Sequence, residues 1–231
     1  MGILLKDKIA VVTGAAAGLG KAIALALAEE KANVVAIDID DARLADVDRE
    51  LKTCCSDNYG IRADLSVVQD INTAVSKIIT TFHKIDILVN NAGICPRTAL
   101  EDILEDEWDH VFAVNLKSAF FLSQRVLPIM KENRCGKIIN IASGAGKMGG
   151  LQVGAHYSAS KAGIICLTKT LARYAAPFGI TVNAVCPGVI GTEMTNSASP
   201  SQIENYKKAI PLGRLGQPWD CLLYTSPSPR D

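Results

Sequence analysis

Runs of β-branched and aliphatic residues alternate along this chain with longer stretches whose apolar residues recur every three to four positions. That alternation restricts the fold more than any other feature. "KIAVVTG" (8–14), "NVVAID" (33–38), "YGIRAD" (59–64), "KIDILVNNAG" (84–93), "GKIINIAS" (136–143) and "ITVNAVCPG" (180–188) read as strands. Between them, 20–32, 41–52, 67–82, 106–130 and 155–175 read as helices. Asp41 is the expected N-cap of the second helix, and Pro128 is expected to kink or end the fourth. Strands that are apolar on both sides and alternate with helices imply an α/β domain, a doubly wound parallel sheet covered on both faces. From about 195 to 215 the chain turns polar around Pro200 and Pro211, with a short helix at 201–209 that could form a lid.

Composition excludes several function classes. Lys+Arg and Asp+Glu both count 24, so no net field favours nucleic acid or an anionic membrane, and the expected partner is a small molecule. No apolar run approaches the ~20 residues of a membrane span, and no signal peptide is read at the start, so a cytoplasmic protein is expected. Seven cysteines without C-x-x-C pairing, and three histidines without ligand spacing, predict reduced thiols and no metal.

The turn "TGAAAGLG" (13–20) joins the first strand to the first helix. Gly14, Gly18 and Gly20 let backbone N–H groups approach a pyrophosphate, and the helix N-terminus stabilises its charge. The same glycines could equally serve a tight turn alone. Asp38, at the end of the second strand, stands near the spacing of about 20 residues at which a carboxylate accepts from a ribose 2′-hydroxyl; it could instead cap the next helix. A carboxylate there would repel a 2′-phosphate by roughly 4 kcal/mol per unit charge at an effective dielectric near 20. No Arg or Lys occupies 15–19 or 39–42 to offset this, so NAD is expected over NADP.

In "YSASK" (157–161), Tyr157 and Lys161 share a helix face. A neighbouring ammonium favours the phenolate, and a tyrosine so tuned can remove or return an alcohol proton. A merely buried tyrosine beside a solvent-seeking lysine has the same spacing. Ser158 and Lys161 form S-x-x-K, but no S-D-N or K-T-G follows.

Taken together, T-G-x-x-x-G-x-G at 13–20, N-N-A-G at 90–93, Asn115, Ser143, Y-x-x-x-K at 157–161 and P-G at 187–188 resemble the classical short-chain dehydrogenases/reductases. The resemblance spans residues 6 to about 219. It implies a single-domain Rossmann fold over 1–220 with strand order 3-2-1-4-5-6. It implies a catalytic set in which Tyr157 is the acid/base, Ser143 holds the substrate oxygen, Lys161 tunes Tyr157 and bonds the nicotinamide ribose, and Asn115 supports a proton relay. The dinucleotide would be held by Gly14, Ala17, Gly18, Leu19, Gly20, Asp38, Asp64, Leu65, Asn91, Tyr157, Lys161, Pro187, Gly188, Ile190 and Thr192. The expected reaction passes hydride between nicotinamide and a secondary alcohol or ketone. The similarity is greatest to 3-oxoacyl-acyl-carrier-protein reductases, so that activity is the alternative. The NADP-using members of that group place Arg in the glycine loop, where this chain has Ala16 and Ala17. A dinucleotide binder without catalysis is the alternative of another class, disfavoured by the complete catalytic set.

Ile94, Cys95, Pro96, Ala145, Gln152, His156 and Val189 are expected to line the substrate pocket, with no charged anchor among them. The family usually forms homodimers or homotetramers through the helices that carry Asn115 and Tyr157. At the end, "CLLYTSPSPRD" (221–231) departs from the family pattern and reads like translated sequencing adapter. The expectation is a chain truncated before its seventh strand.

Overall fold

The computed structural model describes residues 5–54, 57–150 and 152–222. Six strands form one parallel sheet in the order β3-β2-β1-β4-β5-β6. They are β1 (Ile9–Thr13), β2 (Asn33–Asp38), β3 (Tyr59–Arg62), β4 (Ile87–Asn90), β5 (Gly136–Ile141) and β6 (Ile180–Val185). The helices between them are α1 (Gly18–Glu29), α2 (Asp41–Cys54), α3 (Val68–Phe82), α4 (Glu105–Phe112), α5 (Ser118–Glu132), α6 (Ala145–Met148) and α7 (Ala155–Ala175). After β6 come two short helices, α8 (Glu193–Asn196) and α9 (Pro200–Ala209). Among the described residues no helix is long and apolar enough to cross a membrane.

Side chains alternate across β1 and divide the core in two. Ile9 and Val11 join the cluster under α3, α5 and α7 with Ile71, Ile78, Leu122, Val126 and Leu171. Ala10 and Val12 face α1 and α2 with Ala24, Ala28, Leu44, Val47 and Leu51. Alanines on both the sheet and α1 let that helix lie close to the strands, which brings its N-terminus up against the turn after β1. The order reverses between β1 and β4, and the crevice outside the carboxyl ends of the strands opens there, as the topology of open α/β sheets requires.

Three local expectations are corrected. The second helix is capped by Asp40, whose Oδ1 accepts from the N–H of Arg43 at 3.1 Å; Asp41 is already helical. Pro128 lies inside α5 and does not end it. It is on the solvent face, as is Gln124 one turn back, so the carbonyl it leaves without an N–H partner stays in water. The stretch 106–130 is one helical run interrupted by a π turn at Ala113–Lys117, which has Asn115 at its centre. The helix expected at 201–209 is α9; Ser199 caps it reciprocally with Gln202, and Pro200 opens it. Of the C-terminal segment 221–231, all but its first two residues lie outside the described residues.

Candidate active site

The β1–α1 turn is shaped by backbone. Gly14 and Gly18 have φ of +62° and +54°, a conformation that L side chains rarely adopt. At Gly20 the constraint is space: a Cβ would sit 2.0 Å from the Gly14 carbonyl oxygen and 2.5 Å from Asn91 Nδ2. The Asn91 amide donates to the carbonyls of Thr13 (2.9 Å) and Gly14 (3.1 Å), tying the end of β4 to the turn. Ala17 occupies the N-cap of α1 and has no side chain to accept from the first-turn N–H groups. Those donors are left for a ligand, as a pyrophosphate cradle requires.

Asp38 closes this end. Its Oδ2 accepts from Ala16 N (2.9 Å) and its Oδ1 from Asp40 N (3.0 Å), so the carboxylate is fixed while each oxygen keeps a free lone pair. It therefore also serves the local turn. Arg43, which directly follows the stretch 39–42 without Arg or Lys, pairs with Asp40 at 3.3 Å and with Glu193 of α8 across the cleft mouth. Asp64 accepts from the backbone and hydroxyl of Ser66 at 2.9 and 2.7 Å, and the Ser66 hydroxyl leads in holding its carboxyl below the usual range.

The other end is made of side chains. Asn115 is 2% exposed; its Oδ1 accepts from Ile94 N (2.8 Å), and its Nδ2 donates to Ile94 O and to Ser160 Oγ, both at 3.0 Å. The π turn supplies this aim, because an extra residue in the turn rotates Asn115 inward. Gly93 leaves room between Asn115 and Lys161: a Cβ there would lie 3.2 Å from Asn115 Oδ1 and 3.3 Å from Lys161 Nζ. Lys161 is 4% exposed, donates to the Ile141 carbonyl at 2.8 Å, and stands 5.9 Å from the Tyr157 ring centre. Burial lowers its pKa to about 8. Tyr157 is pushed up to about 12, first by burial and then by Cys95, while a hydrogen bond with Ser143 and the charge of Arg97 pull the other way.

These values correct the simple picture in which the ammonium creates a phenolate. Burial penalises the charged form of both groups, and the ammonium is engaged by a carbonyl rather than by the phenol. In this setting Tyr157 holds its proton at neutral pH.

Both ends open into one cavity of about 810 Å³. Every residue expected to hold the dinucleotide lines it, as do Ser143, Tyr157 and Lys161; Asn115 lies behind the wall. Of the expected substrate-pocket residues, Ile94, Cys95, Ala145, Gln152 and Val189 line it, and Pro96 and His156 do not. His156 is 0% exposed, packed on Trp108, with Nε2 2.8 Å from Glu107 Oε1 but not aligned with it for a hydrogen bond. Its place in the sequence beside Tyr157 turns it, on a helix, to a different face. Met194 and Tyr206, from the segment after Thr192 that was also expected at the pocket, line the cavity, and so does Arg97, which was not expected there. For Arg97 a signal was available, since it follows the carboxyl end of β4, where open sheets bind their ligands. Among the described residues no cluster of His, Cys, Asp and Glu is placed to hold a metal ion.

A doubly wound sheet with a glycine turn at its switch point, and a buried Tyr157–Lys161 pair beside the half-buried Ser143 across the crevice, fits the class of nicotinamide-dinucleotide oxidoreductases. The model of the short chain dehydrogenase family matches residues 8–203, and the chain belongs to that family. It is 41% identical over 215 residues, 93% of this chain and 88% of the relative, to the 3-oxoacyl-(acyl-carrier-protein) reductase FabG of Staphylococcus epidermidis. It is 39% identical over 214 residues, 93% and 87%, to the FabG of Thermotoga maritima. The crystal structure of gox2181 superposes with a TM-score of 0.89 at 32% identity, over 96% of this chain and 90% of the other. The protein is an oxidoreductase that acts on a CH–OH or keto group with a nicotinamide dinucleotide and a small-molecule substrate.

Proposed function

We propose that this enzyme interconverts a secondary alcohol and a ketone, with Tyr157 as the group that gives and takes the proton and NAD as the preferred dinucleotide. The observation that carries the reading is the convergence of Ser143, Tyr157 and Lys161 on the cavity that the glycine turn also lines. The dinucleotide, when bound, supplies or accepts hydride at its nicotinamide ring. Tyr157, protonated at neutral pH, donates to the carbonyl oxygen of a ketone as charge develops there. Ser143 donates a hydrogen bond to the same oxygen. Lys161 lies close enough to lower the energy of the phenolate that remains, and Asn115 holds the Ile94 backbone and α7 at a fixed separation behind it. Asp38 supports NAD over NADP, because its carboxylate would repel a 2′-phosphate, and Arg43 on the same rim is engaged by Asp40 and Glu193. Exposed Phe120 on α5 and Tyr174 on α7 support a homo-oligomer joined through those helices.

Reduction of a 3-oxoacyl thioester is the second reading, favoured by the FabG relatives. The test is a panel of ketones and secondary alcohols assayed with both dinucleotides, on the native protein and on Tyr157→Phe. The variant should lose about 100- to 10,000-fold in kcat, the range of general acid–base catalysis, while it binds dinucleotide as before. Turnover within a few-fold of native would remove Tyr157 from the proton-transfer role.

A further inference from the structure

Arg97 sits at the junction of three walls of the substrate end. Its Nη1 donates to the Gln152 carbonyl at 2.6 Å and to the Tyr206 hydroxyl at 2.9 Å. Its Nε donates to Ser197 Oγ at 3.3 Å. Its Nη2, with two N–H groups, makes one contact, to the Met194 carbonyl at 3.5 Å. All four partners are neutral. Among the described residues no Asp or Glu pairs with this guanidinium, although it is half-buried and lines the cavity. A cation taken partly out of water without a counter-ion is costly, and proteins normally pair it. Here Nη1 is held by the loop at 152 and by α9, and Nε by Ser197 just past α8, which fixes the plane and leaves Nη2 with a donor to spare beyond its long contact to Met194. The reacting end feels the charge: Arg97 draws both Tyr157 and Cys95 toward ionisation against the effect of burial.

We propose that Arg97 is the anchor for a carboxylate on the substrate, so that the site takes a keto acid and the corresponding hydroxy acid rather than a neutral ketone. The proposal rests on the ketone–alcohol reading above. A single guanidinium matches a single negative charge; a phosphate dianion would be left half-neutralised, because Lys161 is committed to Ile141 at the reacting end. A substrate carboxylate would also supply the counter-ion that the protein withholds. Because the same guanidinium bonds α8, α9 and the loop at 152, filling its free edge would draw those walls together around a correctly charged substrate.

The test compares 3-oxobutanoate and 4-oxopentanoate with their methyl esters, and with a short 3-oxoacyl thioester, on the native protein, Arg97→Met and Arg97→Lys. The native protein should favour the better acid over its own ester by about 10- to 100-fold in kcat/KM, the worth of a charge-assisted hydrogen bond. That ratio should collapse in Arg97→Met, chiefly through KM, and recover in part in Arg97→Lys. In parallel, butanoate, which has no reducible carbonyl, is titrated calorimetrically into dinucleotide-saturated protein. It should bind the native form and bind Arg97→Met at least tenfold more weakly. Equal use of acid and ester, preference for the thioester over the acid, an equal loss on acid and ester in Arg97→Met, or butanoate binding that ignores the substitution would each overturn the proposal. The butanoate arm reads the anchor without turnover, so it decides even where every ketone fails, and a failure of the alcohol–ketone reading shows instead in Tyr157→Phe.

Discussion

At one end of the cleft the β1–α1 turn presents main chain; at the other, Ser143, Tyr157, Lys161 and Arg97 present side chains. The two ends carry different penalties. The glycine end is intolerant of any added atom, because Gly20 already touches the Gly14 carbonyl, yet it buries no charge. The other end holds an ammonium and a phenol out of water, and burial moves the acidity of both against ionisation. The first end is specified by sterics and the second by solvation, so substitutions that break one should spare the other.

Gly20→Ala should have the largest effect on the fold. Its Cβ would meet a carbonyl oxygen at 2.0 Å and Asn91 Nδ2 at 2.5 Å, and the first of these is backbone, which cannot swing aside. We expect a loss of about 3 kcal/mol or more in stability, at the upper end of overpacking, together with loss of dinucleotide binding. Thermal unfolding with and without dinucleotide measures both. An unfolding midpoint within about 2 °C of native, still raised by dinucleotide, would show that the turn is not fixed by this contact.

Lys161→Met probes the other end and should move stability the opposite way. The unfolded chain keeps the Lys161 proton up to about pH 10.5, the folded chain only to about 8. Stability of the native protein therefore rises with pH between 8 and 10.5, and below pH 8 the cost of the buried charge is complete. At 1.36 kcal/mol per unit that cost is roughly 3 kcal/mol; about 1 is deducted for the Ile141 carbonyl left without its donor. The variant should thus be inactive and yet roughly 2 kcal/mol more stable at pH 7, with the gap narrowing toward pH 10. Denaturant titrations at several pH values read this directly. A variant less stable than native at pH 7 would mean that the ammonium is held by more than one carbonyl.

The same contrast explains what could be read from the sequence. Gly14, Gly18 and Gly20 are legible because a steric requirement leaves one residue type and a fixed spacing. The parallel sheet is legible from apolar runs alternating with helices, whereas the strand order came only with the family resemblance. The tyrosine–lysine pair is legible as a pair, but not the direction in which its acidities move, because solvation depends on the loops and helices that cover it. Asn115 is legible as a polar residue in an apolar helix, whereas the π turn that aims it is a property of packing. Arg97 escaped because its partners, Gln152, Met194, Ser197 and Tyr206, lie 55 to 109 residues away along the chain. His156 was misplaced for the converse reason, since proximity in sequence to Tyr157 is not proximity in space on a helix.

Asp38 breaks the division, as a charged side chain at the backbone-built end to which the proposed preference for NAD is assigned, and its removal should have the smallest effect. Its two oxygens hold Ala16 N and Asp40 N, so the carboxylate stands at the ribose end of the cavity with its orientation fixed. A 2′-phosphate brought there meets like charge, and water at the cleft mouth screens the repulsion below its contact value. Asp38→Ala removes the repulsion and also the acceptor for the ribose hydroxyls, so affinity for NAD should fall while that for NADP holds or rises. The ratio of the two in kcat/KM should shift by about tenfold toward NADP, worth about 1.4 kcal/mol. Arg43 then becomes informative, since it lies on the same rim and is engaged by Asp40 and Glu193. Adding Glu193→Gln to Asp38→Ala should release part of the guanidinium and extend the shift. A native protein that already uses NADPH better than NADH would sink this assignment, and would mean that Arg43 leaves Glu193 to meet the phosphate.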